Sequence, residues 1–289
     1  MDFDTFIETA WTDHAADPRA VALRMSDAAV LAANEAQLVR LANLAHHVHG
    51  EHLADWRAGI AFLQQLASLP AFAAEGESGH TLRRCTASLT VCDSAADDAP
   101  GLSPSDRIRV AAMAAGNLAE RDTPRAIRLF EQALVQAEHS GLGAADPMNR
   151  ALAVAGNQLA CTLEEKPLRS AMERELMLLA AQAARRYWAL AGSWLEVERA
   201  EYRLAMSWLQ AGEVDRARVH AQACLDIVSA NQGAALERFF GWEALSQVEL
   251  AAANDADHAQ ALAQARHAFA ELDDADKAWC ATSLDKLAA

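Results

Sequence analysis

The stretches GNLAERDTPRAIRLFEQAL (residues 116–134) and LAMSWLQAGEVDRARVHAQACL (residues 204–225) decide how this chain is read. Each places a small residue inside an amphipathic helix, then a short polar turn, then a second helix opened by Arg-Ala, at Arg125-Ala126 and Arg216-Ala217. Small residues return on the inner face of that second helix. In the later stretch Val197, Ala200, Leu204, Trp208 and Ala211 share one helical face, and Ala217, Ala221, Cys224, Leu225 and Val228 share a face of the partner. Alanines at the contact let two helix axes approach closely. The pattern predicts a helical hairpin suited to stacking on further hairpins.

Working outward, apolar spacing and punctuation predict about fourteen helices. The early ones fall near 3–14, from Pro18 onward, 34–49, 53–69 and 81–93, with breaks over Pro70–His80 and Ser94–Ser103. The later ones fall near 105–121, 123–139, 146–165, 169–191, 193–211, 214–230, 234–253, 257–271 and 274–287. The organisation expected is a divergent hairpin region over 1–93, a loop over 94–104, regular repeats over 105–272 and a capping helix over 273–289, all in one continuous array. In the N-terminal third two pairings fit: a lone first helix followed by hairpins 2–3 and 4–5, or hairpins 1–2 and 3–4 with helix 5 left over. The first brings the later pairs into phase.

These residues resemble the tetratricopeptide repeat family. Leu204-Ala205, Trp208, Gly212-Glu213, Ala217, Ala221 and Cys224-Leu225 carry the best match, and Gly116-Asn117, Ala126-Ile127, Phe130 and Ala133-Leu134 the second. Gly156-Asn157 and Leu245-Ser246 open weaker units. The landmark small residues stand at 116, 156, 205 and 246, so the steps are 40, 49 and 41 residues, against about 34 in the simple family repeat. The resemblance implies an all-α, right-handed superhelix of stacked antiparallel hairpins, with the first helix of each hairpin lining a concave groove. Carried over residue by residue, it nominates Met113, Asn117, Arg150, Asn157, Arg199, Tyr202, Met206, Glu243 and Gln247 as groove residues. Asn and Arg from successive helices would fix a peptide backbone or carboxylate. The lysine of the family's carboxylate clamp is replaced here by Met113, Ala153 and Tyr202.

Composition narrows the partners. Lys and Arg total 25 against 40 Asp and Glu, a formal charge of −15. Such a surface repels phosphate backbones and suits a basic peptide, so no nucleic acid is expected. The uncharged run Gly59–Ala74 is too short for a membrane span, and the N-terminus lacks a basic-then-apolar leader. Cys85, Cys92, Cys161, Cys224 and Cys280 form no CxxC pair and read as apolar core residues of a reducing, cytoplasmic setting. Trp56, Trp208, Trp242 and Trp279 read as core at helical spacing, and Arg185-Arg186-Tyr187-Trp188 as packed aromatics with snorkelling arginines.

Of the constellations that carry chemistry, the densest is His46, His47, His49 and His52 with Glu51 and Asp55. On a continuous helix His46, His49 and His52 would follow one drifting stripe and offer candidate metal ligands. Gly50 interrupts that stripe, and a turn or surface cluster is the favoured reading. The chain holds no phosphate-binding loop, dinucleotide fingerprint or nucleophile elbow. The expectation is a non-enzymatic scaffold that needs no cofactor and grips a protein or peptide segment in its groove. The alternatives are a peptide-sensing regulator and a metal-dependent helical enzyme built on the His46–His52 cluster. The sequence leaves the oligomeric state open.

Overall fold

A computed structural model describes residues 2–287, which form fourteen α-helices and no strand. Local chemistry explains where most of them start. Asp2, Asp17, Asn34, Asp55, Ser103, Asp122 and Asp146 each accept a hydrogen bond from a backbone N–H of the first turn. Ser170 and Ser193 do so within reciprocal capping boxes with Glu173 and Glu196. A cap of this kind is worth about 1 kcal/mol.

The chain separates into two compact units, divided between Gly143 and Ala144. The first contains α1 (Phe3–Asp13), α2 (Pro18–Ala29), α3 (Glu35–His47), α4 (Trp56–Leu66), α5 (Glu77–Asp93), α6 (Pro104–Leu118) and α7 (Thr123–His139). A π-helical turn, Val48–His52, prolongs α3. Here α1 packs on α2 and α3, α5 lies along α3, α4 and α6, and α6 pairs with α7. Phe3, Phe6, Met25, Leu38, Leu41, Leu63, Leu66 and Leu89 fill the core of this unit.

The second unit contains α8 (Pro147–Glu164), α9 (Ala171–Ala191), α10 (Trp194–Gln210), α11 (Val214–Ala230), α12 (Ala235–Ala251), α13 (Asp255–Ala270) and α14 (Asp274–Leu287). Neighbours in sequence pair as α8–α9, α10–α11 and α12–α13. Helix α10 also touches α8 and α12, so the first helices of successive pairs lie side by side. No described helix is long and apolar enough to cross a membrane.

The structure departs from the sequence reading at two points. Helix α5 begins at Glu77, inside the stretch read as a break, because Glu35 caps it from a distance. The Glu35 carboxylate accepts from the Ser78 backbone N–H and hydroxyl, both at 2.9 Å. Trp279, read as core, is 65% exposed on α14.

The landmark glycines are not equivalent. A Cβ at Gly156 would stand 2.6 Å from the Ala180 carbonyl oxygen, so α8 and α9 cross there at backbone contact. A Cβ at Gly116 would meet nothing within 4 Å. Gly116→Ala is therefore expected to raise stability by about 0.5–1 kcal/mol, the ordinary gain of replacing a helical glycine. Gly156→Ala is expected to lower it by about 1–3 kcal/mol through overpacking. Urea unfolding of the two variants checks this; equal shifts would mean that α8 and α9 do not cross at Gly156.

Candidate ligand groove in the second unit

Helix α10 touches both α8 and α12, and it pairs Arg203 with Glu164 of α8 and Arg199 with Glu237 of α12. Along it, Glu198, Arg199, Tyr202 and Arg203 follow the helical spacing that keeps side chains on one side. With Asn157 of α8, Leu236, Glu237 and Phe240 of α12 and Trp279 of α14, they line a cavity of about 400 Å³.

One wall is aromatic. Tyr202 meets Phe240 edge-on at 5.7 Å between ring centres, and Phe240 meets Trp279 at 5.3 Å. The opposite character comes from paired charges. Arg199 Nη2 donates to Glu237 Oε1 at 3.1 Å. Arg203 pairs with Glu164, which also accepts from the Ser207 hydroxyl. Both arginines of the cavity are thus already committed to carboxylates.

Glu198 has no such arrangement. It is 1% exposed, and its Oε1 has no hydrogen-bond partner. Burial pushes its carboxyl up to about 7, the nearby Glu237 charge adds to the rise, and Arg199 partly offsets it. Near neutral pH the cavity therefore holds one carboxyl on the edge of ionisation, with no hydrogen-bond donor on its Oε1.

Of the residues nominated from sequence, Asn157, Arg199 and Tyr202 line this cavity. Glu243 and Gln247 stand behind it: the Tyr202 hydroxyl donates to Glu243 Oε2 at 2.7 Å, and Gln247 Nε2 donates to Glu243 Oε1 at 3.0 Å. Burial, with the Glu243 charge adding to it, holds the phenol protonated far above its usual range, so Tyr202 is a fixed donor. Met206 is half-buried farther along α10, and Arg150 is exposed with its guanidinium 5.2 Å from the Trp188 ring centre.

Met113 and Asn117 belong to the first unit. Met113 packs on its core. Asn117 is buried, and its Nδ2 lies 3.2 Å from both His46 Nε2 and Ser88 Oγ. His46 is locked in that same network, and burial pushes its pKa down to about 4. His49 is also buried, with Nδ1 unpartnered, while His52 stands apart from both, beside His47. The three-residue recurrence therefore gathers no ligand set, because the π turn breaks the stripe at Gly50. A Cβ at Gly50 would lie 2.3 Å from Asn117 Oδ1, so the glycine admits α6 at that point.

Sequence reasoning missed Glu198, Arg203, Glu237, Phe240 and Trp279. One signal was present: Glu198 precedes Tyr202 by one helical turn and so shares its face.

Compared with known proteins, the chain matches no family model, no curated protein and no solved structure.

The raised Glu198 pKa carries a stability signature. The folded chain keeps this proton up to about pH 7, whereas the unfolded chain releases it near the ordinary glutamate value of 4.5. Between those values the folded state binds the extra proton, so stability falls as pH rises through the window. Stability of the parent chain is expected to drop by roughly 1–3 kcal/mol relative to Glu198→Gln between pH 4.5 and pH 8. Urea unfolding at several pH values reads this difference; superimposable pH profiles would show that Glu198 ionises freely.

Proposed function

We propose that this chain is a non-enzymatic binding protein of tetratricopeptide-like hairpins. In this reading α8–α9, α10–α11 and α12–α13 are successive repeats of a superhelical array. Their first helices receive a basic segment of a peptide or protein in the cavity between α8, α10 and α12.

The observation that carries the reading is the unanswered Glu198 carboxyl in a cavity whose arginines are both taken. A lysine or arginine side chain supplies the missing cation. Its aliphatic stem would lie on Tyr202, Phe240 and Trp279, which form an aromatic wall beside the cavity. A cavity of about 400 Å³ is within the size range of small-ligand sites and suits one long side chain with its flanking backbone. The side chains lining it include no Ser, Thr, Cys or His, which favours capture over nucleophilic chemistry. Arginines answered by Glu237 and Glu164 also turn the reading away from a carboxylate clamp and toward a cationic guest.

Because proton and cation compete for Glu198, binding should strengthen between pH 5.5 and pH 8. The test is a fluorescent peptide library with a central Lys or Arg, set against the same library with norleucine. Cationic members are expected to bind. Glu198→Gln is expected to weaken them by about tenfold or more, as losing a buried charged partner does, and Trp279→Ala to weaken them by a few-fold through the lost aromatic wall. Neutral peptides that bind as well as basic ones, or affinity that ignores both substitutions, would defeat the proposal.

A further inference from the structure

The first unit brings together three histidines that no sequence spacing joins. His14 follows the last residue of α1, His47 ends α3, and His52 ends the π turn. One ring nitrogen from each lies within 4.8 Å of the other two. His47 Nε2 and His52 Nε2 are 3.1 Å apart. The ring centres stand 4.9 Å (His14–His47), 4.9 Å (His14–His52) and 4.7 Å (His47–His52) from one another.

The outer nitrogens of two rings are already held. His47 Nδ1 lies 3.1 Å from Glu51 Oε1, and His14 Nδ1 lies 2.8 Å from the Trp11 carbonyl oxygen. Each acceptor takes a proton on Nδ1, which leaves the lone pair of that ring on Nε2. A carboxylate or carbonyl behind a histidine is the usual means of fixing the tautomer and aim of a metal ligand. The His52 carbonyl also accepts from Arg121 Nη2 at 3.4 Å, which ties this end of the π turn to the residues after α6.

We propose that His14, His47 and His52 form a binding site for a late first-row divalent transition ion, with zinc as the reference ion. Tetrahedral zinc with Zn–N bonds of about 2.0–2.1 Å sets ligand nitrogens about 3.3 Å apart, and the His47–His52 pair stands near that separation at 3.1 Å. His14, at the end of α1 and half-buried like the other two, closes the remaining distance by a side-chain adjustment. Three neutral imidazoles select zinc, nickel or copper over magnesium and calcium, which prefer oxygen. The fourth position stays open to water or an anion. The site is separate from the α10 cavity, and neither proposal depends on the other.

The test uses the full chain, purified without an affinity tag and stripped with a chelator. Zinc chloride is titrated in with calorimetric and thermal-unfolding readouts, and magnesium chloride is the control. One equivalent of zinc is expected to bind at micromolar Kd or tighter and to raise Tm, with magnesium inert. His14→Ala and His52→Ala are each expected to weaken zinc by about tenfold or more, and His80→Ala, at an exposed histidine elsewhere, to leave it unchanged. Cobalt substitution should show no thiolate charge-transfer band, which separates this site from the five free cysteines. His14 lies just past a helix end, so its variant keeps the test decisive should substitutions at His47 impair folding. Absence of one-to-one zinc binding, or binding undisturbed by His14→Ala and His52→Ala, would leave the trio as an aromatic cluster with Trp11 and overturn the site.

Discussion

Close approach of small-residue helix faces governs how polar groups are treated inside this protein. Where Gly156 meets the α9 backbone, the gap has no room for a β-carbon, let alone a water molecule. Carboxylates that enter such dry interiors must be answered by side chains of a neighbouring helix. In the second unit most of them are. Glu164 is met by Arg203 and Ser207, Glu201 by Arg185 and His220, Glu249 by Arg218, and Glu243 by Tyr202 and Gln247. Against that background the unpartnered Glu198 Oε1 is an exception among these carboxylates.

The same accounting changes what the acidity of the chain means. A formal charge of −15 reads from sequence as an acidic surface. Yet Glu198, Glu201, Glu237, Glu243 and Glu249 are buried. Part of the acidity is therefore internal wiring between helices of the second unit, and its effect on partners is local. The cationic guest that we propose rests on one carboxyl at one cavity.

Recurring sequence signals also resolve into different physical roles. Arg-Ala opens the second helix of both diagnostic stretches. Arg125 reaches back to Asp97 and to the carbonyl oxygens of Val91 and Ala96, and so pins the loop before α6. Arg216 instead lies over the Trp208 ring, 4.5 Å from its centre. Gly116 and Gly156 hold matching places in the pattern, but only Gly156 is needed for a close crossing. Among the histidines, regular spacing pointed to His46, His49 and His52, while contact gathered His14, His47 and His52. Helical spacing misleads where a π turn changes the angular step per residue.

The sequence by itself determined the helices, most of their caps and breaks, and the apolar face of most of them. Those features arise from interactions within a few residues, where periodicity and cap chemistry leave a legible trace. Only the tertiary structure decided which polar side chains meet: Glu35 with Ser78, Asn117 with His46, His14 with His52, and Glu198 with no hydrogen-bond donor on its Oε1. Such meetings depend on how helices far apart in sequence are rotated and set against each other. A shift of one residue turns a side chain by about 100° around its helix, enough to move a carboxylate from a cavity wall to solvent, and nothing in the local sequence records that angle.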